Sequence, residues 1–150
     1  MDTLAICDTE PIAIEGIRSL LESAEGVRVV ATETSLLEGI EAVRALDPSI
    51  LMVDKAFGIH AVMDWLRTLR QAPTRTAVVV WGSSISEAEA LRMLQIGAAG
   101  VLRKTATLDV VLRCLRTVAT GGNWMEHDLA AECERPVRAA RSPLTARELV

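Results

Sequence analysis

Five short apolar runs with no internal alternation recur along the first 120 residues, each followed by a helical pattern of about a dozen residues. The runs are Leu4-Ala5-Ile6-Cys7, Val27 to Thr32, Ile50-Leu51-Met52-Val53, Ala77-Val78-Val79-Val80-Trp81 and Val101-Leu102. A strand that is apolar on both sides must be buried on both faces, as happens in a parallel sheet covered by helices. In the intervening segments Ile14, Ile17 and Leu21 fall at i, i+3 and i+7, and Leu36, Ile40 and Val43 share one side. Val62, Trp65 or Leu66, and Leu69 mark a third helix, Leu91 and Leu94 a fourth, and Leu108, Val111, Leu115 and Val118 a fifth. Ser35 with Glu38, and Ser86 with Glu89, have capping-box spacing, and Gly97 is placed to end a helix.

Five β-α units in a chain of this size predict an α/β fold, a flavodoxin-like doubly wound five-stranded parallel sheet with strand order 2-1-3-4-5. Arg28 inside the second run assigns that strand to an edge, because a central parallel strand has no face for a charge. With three Trp, one Phe and no Tyr, the core must be aliphatic. The formal net charge of −4 gives no general attraction to a phosphate backbone, and the first 130 residues hold no basic patch. Cys7, Cys114 and Cys133 are an odd, widely spaced set and read as buried or free thiols in a reducing compartment. No apolar run approaches about 18 residues, and the start lacks a signal-peptide pattern, so a cytoplasmic protein without a membrane partner is expected. From Asn123 the periodicity dissolves, and residues 123–142 read as a charged linker.

Ligands of an open parallel sheet bind beyond the carboxyl ends of its strands. Asp8 ends the first run, Asp54 the third, and Lys104 follows the fifth, while Glu10 shares a loop with Asp8. Two carboxylates and an ammonium converging there suit phosphoryl transfer to a carboxylate: the acids hold Mg²⁺, the lysine neutralises the moving group, and Asp54 attacks. Other singled-out residues read more plainly. Trp81 is expected in the core, Lys55 solvated and His60 an isolated histidine at a helix start. Val110 and Cys114 widen the last helix's apolar stripe into either a dimer face or a broad core face.

Three segments carry a resemblance: Ile6-Cys7-Asp8-Thr9-Glu10-Pro11, Pro48 to Asp54, and Gly97-Ala98-Ala99-Gly100-Val101-Leu102-Arg103-Lys104 with the helix ending at Thr120-Gly121-Gly122. Over residues 1–122 the chain resembles the receiver domain of the NarL/FixJ (LuxR-type) response regulators, and Ser142 to Val150 resembles the opening of a LuxR-type helix-turn-helix. The resemblance implies a signalling module rather than an enzyme, part of a two-component transcription regulator. Asp54 would be the phospho-acceptor, supplied by a sensor histidine kinase, and Lys104 would contact the phosphoryl group. Asp8, Glu10, Asp54 and the Ala56 carbonyl would hold Mg²⁺. It further implies a homodimer that reaches DNA only through a missing C-terminal domain, residues 143–150 being the start of a truncated one. Residues 1–150 alone are not expected to bind DNA.

Three positions depart from the family pattern. Thr9 stands where a second acidic metal ligand is usual, leaving Glu10 as the substitute. Gly82 falls where a switch hydroxyl is usual, leaving Ser83 for that role if the loop shifts by one residue. Val101 replaces an aromatic residue whose rotation couples the site to the surface. These departures raise a second expectation, a phosphorylation-independent pseudo-receiver acting as a dimerisation module. A third, remote reading is a haloacid-dehalogenase-like phosphatase using Asp8, but Asp8-Thr9-Glu10 lacks the D-x-D pattern of that chemistry.

Overall fold

In a computed structural model that describes residues 1–125, the chain runs β1 (Asp2–Cys7), α1 (Pro11–Glu22), β2 (Val27–Glu33), α2 (Leu36–Leu46) and β3 (Ile50–Asp54). A 3₁₀ turn (Lys55–Phe57) follows, then α3 (Ile59–Arg70), β4 (Ala77–Gly82), α4 (Glu87–Ile96), β5 (Gly100–Arg103), α5 (Leu108–Ala119) and β6 (Trp124–Met125). All strand pairs are parallel, in the order β2-β1-β3-β4-β5-β6. The expected 2-1-3-4-5 order and five helices are present, with Arg28 on the edge strand β2. The sheet has one strand more than the expected five. The extra β6 lies inside the stretch read as linker, and Trp124 N–H donates to the Ala99 carbonyl at 2.9 Å to join it to the β5 edge. The rest of the expected linker and the helix-turn-helix start at 143–150 lie outside the described residues, as does Cys133.

Alternate residues of each strand feed opposite cores, which is why the runs are apolar throughout. Ala5, Cys7, Leu51, Val53, Val78, Val80 and Val101 pack with α2, α3 and α4 on one face. Leu4, Ile6, Ile50, Met52, Val79, Trp81 and Leu102 pack with α1 and α5 on the other. Cys114 is fully buried in that core and Val110 is half-buried against it, so the apolar stripe of α5 packs at least in part on its own sheet. Cys7 is buried too, and its thiol donates to the Ser35 carbonyl at 3.0 Å; burial, aided by the nearby carboxylates, pushes it up to about 12, which leaves it inert.

The turns hold the strand ends in place. Ser86 and Glu89 form the reciprocal capping box at α4, and the Ser35 hydroxyl accepts from Glu38 N–H at α2. Gly97 ends α4 at φ +133°, a left-handed conformation that favours glycine, and the Arg70 side chain packs over it. No helix among the described residues is long and apolar enough to cross a membrane.

Candidate functional site

The register of the central strands brings three distant residues together. Cys7 pairs with Val53 and Asp54 with Trp81, so Asp8 and Asp54 leave adjacent strands at the same level. Gly82 pairs with Arg103, and Lys104 N–H extends that ladder to the Gly82 carbonyl at 2.8 Å, fixing the lysine opposite the aspartates. Lys104 Nζ then lies 3.2 Å from Asp8, 3.2 Å from Asp54 Oδ2 and 2.6 Å from Glu10 Oε1. Asp8 and Asp54 are the buried charged residues among those described. Two buried carboxylates are tolerable at such a spacing because an ammonium sits among them and backbone N–H groups bind them.

Each carboxylate is held differently. Asp54 Oδ1 accepts from Ala56 N–H at 2.9 Å; Oδ2 accepts from the Thr9 hydroxyl at 2.7 Å, Thr9 N–H at 3.2 Å and Lys104. Burial pushes Asp54 up, but the bonds donated by Ala56 and Thr9 outweigh it and leave the carboxyl below its ordinary value. Asp8 goes the other way: burial raises it, with the Asp54 charge adding, against the bond from Glu10 N–H. Burial disfavours the charged form of Lys104, yet its bonds to Glu10 and Asp8 and the charge of Asp54 hold it above its usual value. The site therefore presents an ionised Asp54 and a protonated Lys104 at neutral pH.

The residues expected from sequence divide into two groups. Asp8, Glu10, Asp54 and Lys104 meet as anticipated, and the cleft of about 310 Å³ above them is also lined by Ala56, Gly82 and Ser83. Ser83 sits on the exposed rim of that cleft. Val101 does not reach it: the side chain is fully buried in the core, beside its partner Val80 on β4. His60 is exposed and outside the carboxylate group.

Three contributions went unread in the sequence. Thr9, taken there as the loss of an acid, donates to Asp54. Trp81 is in the core as expected, yet its ring also lies 5.1 Å from Lys104 Nζ, a cation–π platform under the ammonium. Lys55, expected to be solvated, instead donates to the Ser84 carbonyl and to Glu89 Oε1 at 2.7 Å. The alternation that would have pointed it to solvent stops with β3, because Lys55 opens a 3₁₀ turn.

The donor set fits a hard divalent cation. Asp8, Glu10 and Asp54 can each bring a carboxylate oxygen within 4.8 Å of the others. Among the described residues the buried Asp8 Oδ2 has no hydrogen-bond partner, although Lys104 Nζ is 3.2 Å away and out of alignment for one. An unsatisfied buried carboxylate oxygen beside two further carboxylates is what such an ion would satisfy.

Comparison with known proteins agrees with this geometry. Residues 4–116 match the response regulator receiver domain family. The chain belongs to that family. Among curated proteins, this receiver domain is 26% identical over 140 residues to the nitrate/nitrite response regulator protein NarL of Escherichia coli, covering 93% of this chain and 65% of that protein. It is 26% identical over 132 residues to the transcriptional regulatory protein LnrK of Bacillus subtilis, covering 88% and 60%. The receiver chain thus spans less than two thirds of the length of these relatives. Among solved structures, a LuxR-family two-component response regulator from Aurantimonas sp. SI85-9A1 superposes with a TM-score of 0.82 at 25% identity, covering 91% of this chain and 99% of that one. The isolated REC domain of RcsB from Salmonella enterica serovar Typhimurium gives 0.79 at 19% identity, covering 89% and 99%, a likeness of fold.

Proposed function

We propose that this receiver domain accepts a phosphoryl group on Asp54. The observation that carries the reading is the Asp54 carboxylate itself, buried, kept ionised by donated hydrogen bonds, and 3.2 Å from the Lys104 ammonium. An oxygen of Asp54 forms a bond to phosphorus while the bond from phosphorus to the donor breaks, and the leaving group, an imidazole or acetate, departs with the electron pair. Lys104 neutralises charge on the transferring group, and Thr9 and Ala56 hold the carboxylate in one orientation. Asp8, Glu10 and Asp54 would hold Mg²⁺ together with the Ala56 carbonyl, with Glu10 taking the place of the acid that Thr9 lacks. Bound there, the ion supplies positive charge to the phosphoryl oxygens.

In the full-length regulator the donor is a sensor histidine kinase, and the acyl phosphate controls homodimerisation and DNA binding through a C-terminal domain of the helix-turn-helix type. The test is intact-mass measurement after incubation with acetyl phosphate and Mg²⁺. The wild type should gain one phosphoryl adduct that hydroxylamine removes, and Asp54→Asn should gain none. An adduct of equal yield on Asp54→Asn would refute the assignment.

A second reading keeps the fold without the chemistry: a phosphorylation-independent interaction module. Burial of Val101 in the core favours it, because a side chain fixed there offers no pair of rotamers to link the cleft with the surface. A wild type that dimerises equally with and without acetyl phosphate would support that version.

A further inference from the structure

The side chain of Lys55 leaves the residue next to Asp54, crosses the β4–α4 turn, and ends on the Ser84 carbonyl and Glu89 Oε1. Glu89 is also the acidic member of the α4 capping box and accepts from Ser86 N–H at 3.0 Å. One ammonium therefore ties the turn behind the acceptor to the first turn of α4. The stem of Lys55 and the glycine at 82 belong to one arrangement. A Cβ on Gly82 would stand 3.1 Å from Lys55 Cβ and 3.4 Å from Ile85 Cγ1, so the lysine stem fills the space that a side chain at 82 would need. Asp54, Lys55, Gly82, Ser84 and Lys104 all line the same cleft.

We propose that Lys55 is the switch cation of this domain, exchanging its contacts with Glu89 and Ser84 for the phosphoryl oxygens when Asp54 is phosphorylated. The inference rests on Asp54 being the acceptor. A phosphoryl group brings a charge of about −1.5 to −2 and three strong acceptor oxygens, against the single charge of Glu89. Lys55 is flexible enough to follow that charge, and its side chain is 20% exposed, so the exchange costs little desolvation. Its departure releases the Ser84 carbonyl and removes the counter-charge that holds the Glu89 carboxyl below its ordinary value. The signal reaches α4 as the loss of a tether. A hydroxyl at position 82 is not needed for it.

The test is hydrogen exchange on the full chain with and without phosphorylation by acetyl phosphate and Mg²⁺, for the wild type and for Lys55→Met, which keeps the stem and removes the charge. In the wild type, amides between Ser84 and Ala90 should exchange about tenfold faster once Asp54 carries the group, the effect of losing one charge-assisted contact of ordinary strength. Lys55→Met should exchange fast in that segment already, and phosphorylation should add nothing, while β1 and β3 stay as protected as in the wild type. Labelled Asp54 with unchanged exchange at 84–90 in the wild type would overturn the switch and leave the acceptor assignment standing. So would a Lys55→Met domain that responds as the wild type does. Absence of label on wild-type Asp54 would overturn both.

Discussion

The ends of β1 and β3 and the turn after β4 face one cleft but are built on different principles. At the first, fixed charges are clamped: Asp8 and Asp54 are buried, Lys104 lies among them, and Thr9 and Ala56 donate to Asp54. At the second there is little polar machinery aimed inward: Gly82 has no side chain and Ser83 is on the rim, while Val101 on the neighbouring β5 is locked in the core. What spans the two is Lys55. If Asp54 is the acceptor as proposed, the contrast separates a site that gathers charge from the path that would transmit its state. The first is constrained by electrostatics among three strand ends. The second needs only some element with two arrangements of similar free energy.

The comparison breaks most directly at Lys104. Lys104→Met leaves two buried carboxylates and Glu10 without their shared counter-charge, and urea unfolding should show a loss of about 3 kcal/mol, as when one partner of a buried pair is removed. A neutral result would mean that the aspartates are not clamped by charge. On the other side, Val101→Tyr should cost about 2 kcal/mol, because an aromatic ring overpacks a core already filled to that residue. If the variant is as stable as the wild type, the core retains room for an aromatic at that position.

A smaller effect separates the two carboxylates. The folded-state value of Asp8 is raised, by burial first and then by Asp54, so its ionised form is disfavoured in the folded protein at neutral pH. The penalty is full above the raised value, shrinks as pH falls through the window below it, and is gone only below the ordinary value of 3.8. Asp8→Asn should therefore raise Tm at pH 7, and the gain should shrink toward pH 4. Asp54 has the opposite sign: its lowered value contributes stability above its ordinary value of 3.8, lost as pH falls through the folded one. A Tm gain for Asp8→Asn that grows on acidification would contradict the assignment.

The sheet was legible because burial on both faces leaves runs such as Ile50 to Val53 without a polar residue, and Arg28 betrayed the edge. Asp8, Asp54 and Lys104 were legible because parallel strands end on one rim, so a polar residue closing an apolar run has a known address. β6 was not: two residues in a charged stretch carry no periodicity, and Trp124 joins β5 through its backbone, which any residue but proline could do. Thr9 and Lys55 were illegible for a different reason. Their partners, Asp54 and Glu89, lie 45 and 34 residues away, and a side chain leaving a turn follows neither the helical nor the strand period. The same holds for Trp81, whose apolar bulk read as core while its ring face met an ammonium.

The most direct measurement is a crystal structure of the domain with Mg²⁺ and beryllofluoride, a phosphoryl mimic. The account predicts beryllium on an Asp54 oxygen, a metal bound by Asp8 and Glu10, Lys104 withdrawn from Glu10 to a fluoride, and Lys55 turned into the cleft. Beryllofluoride absent from Asp54, with Lys104 still between the three carboxylates, would contradict it.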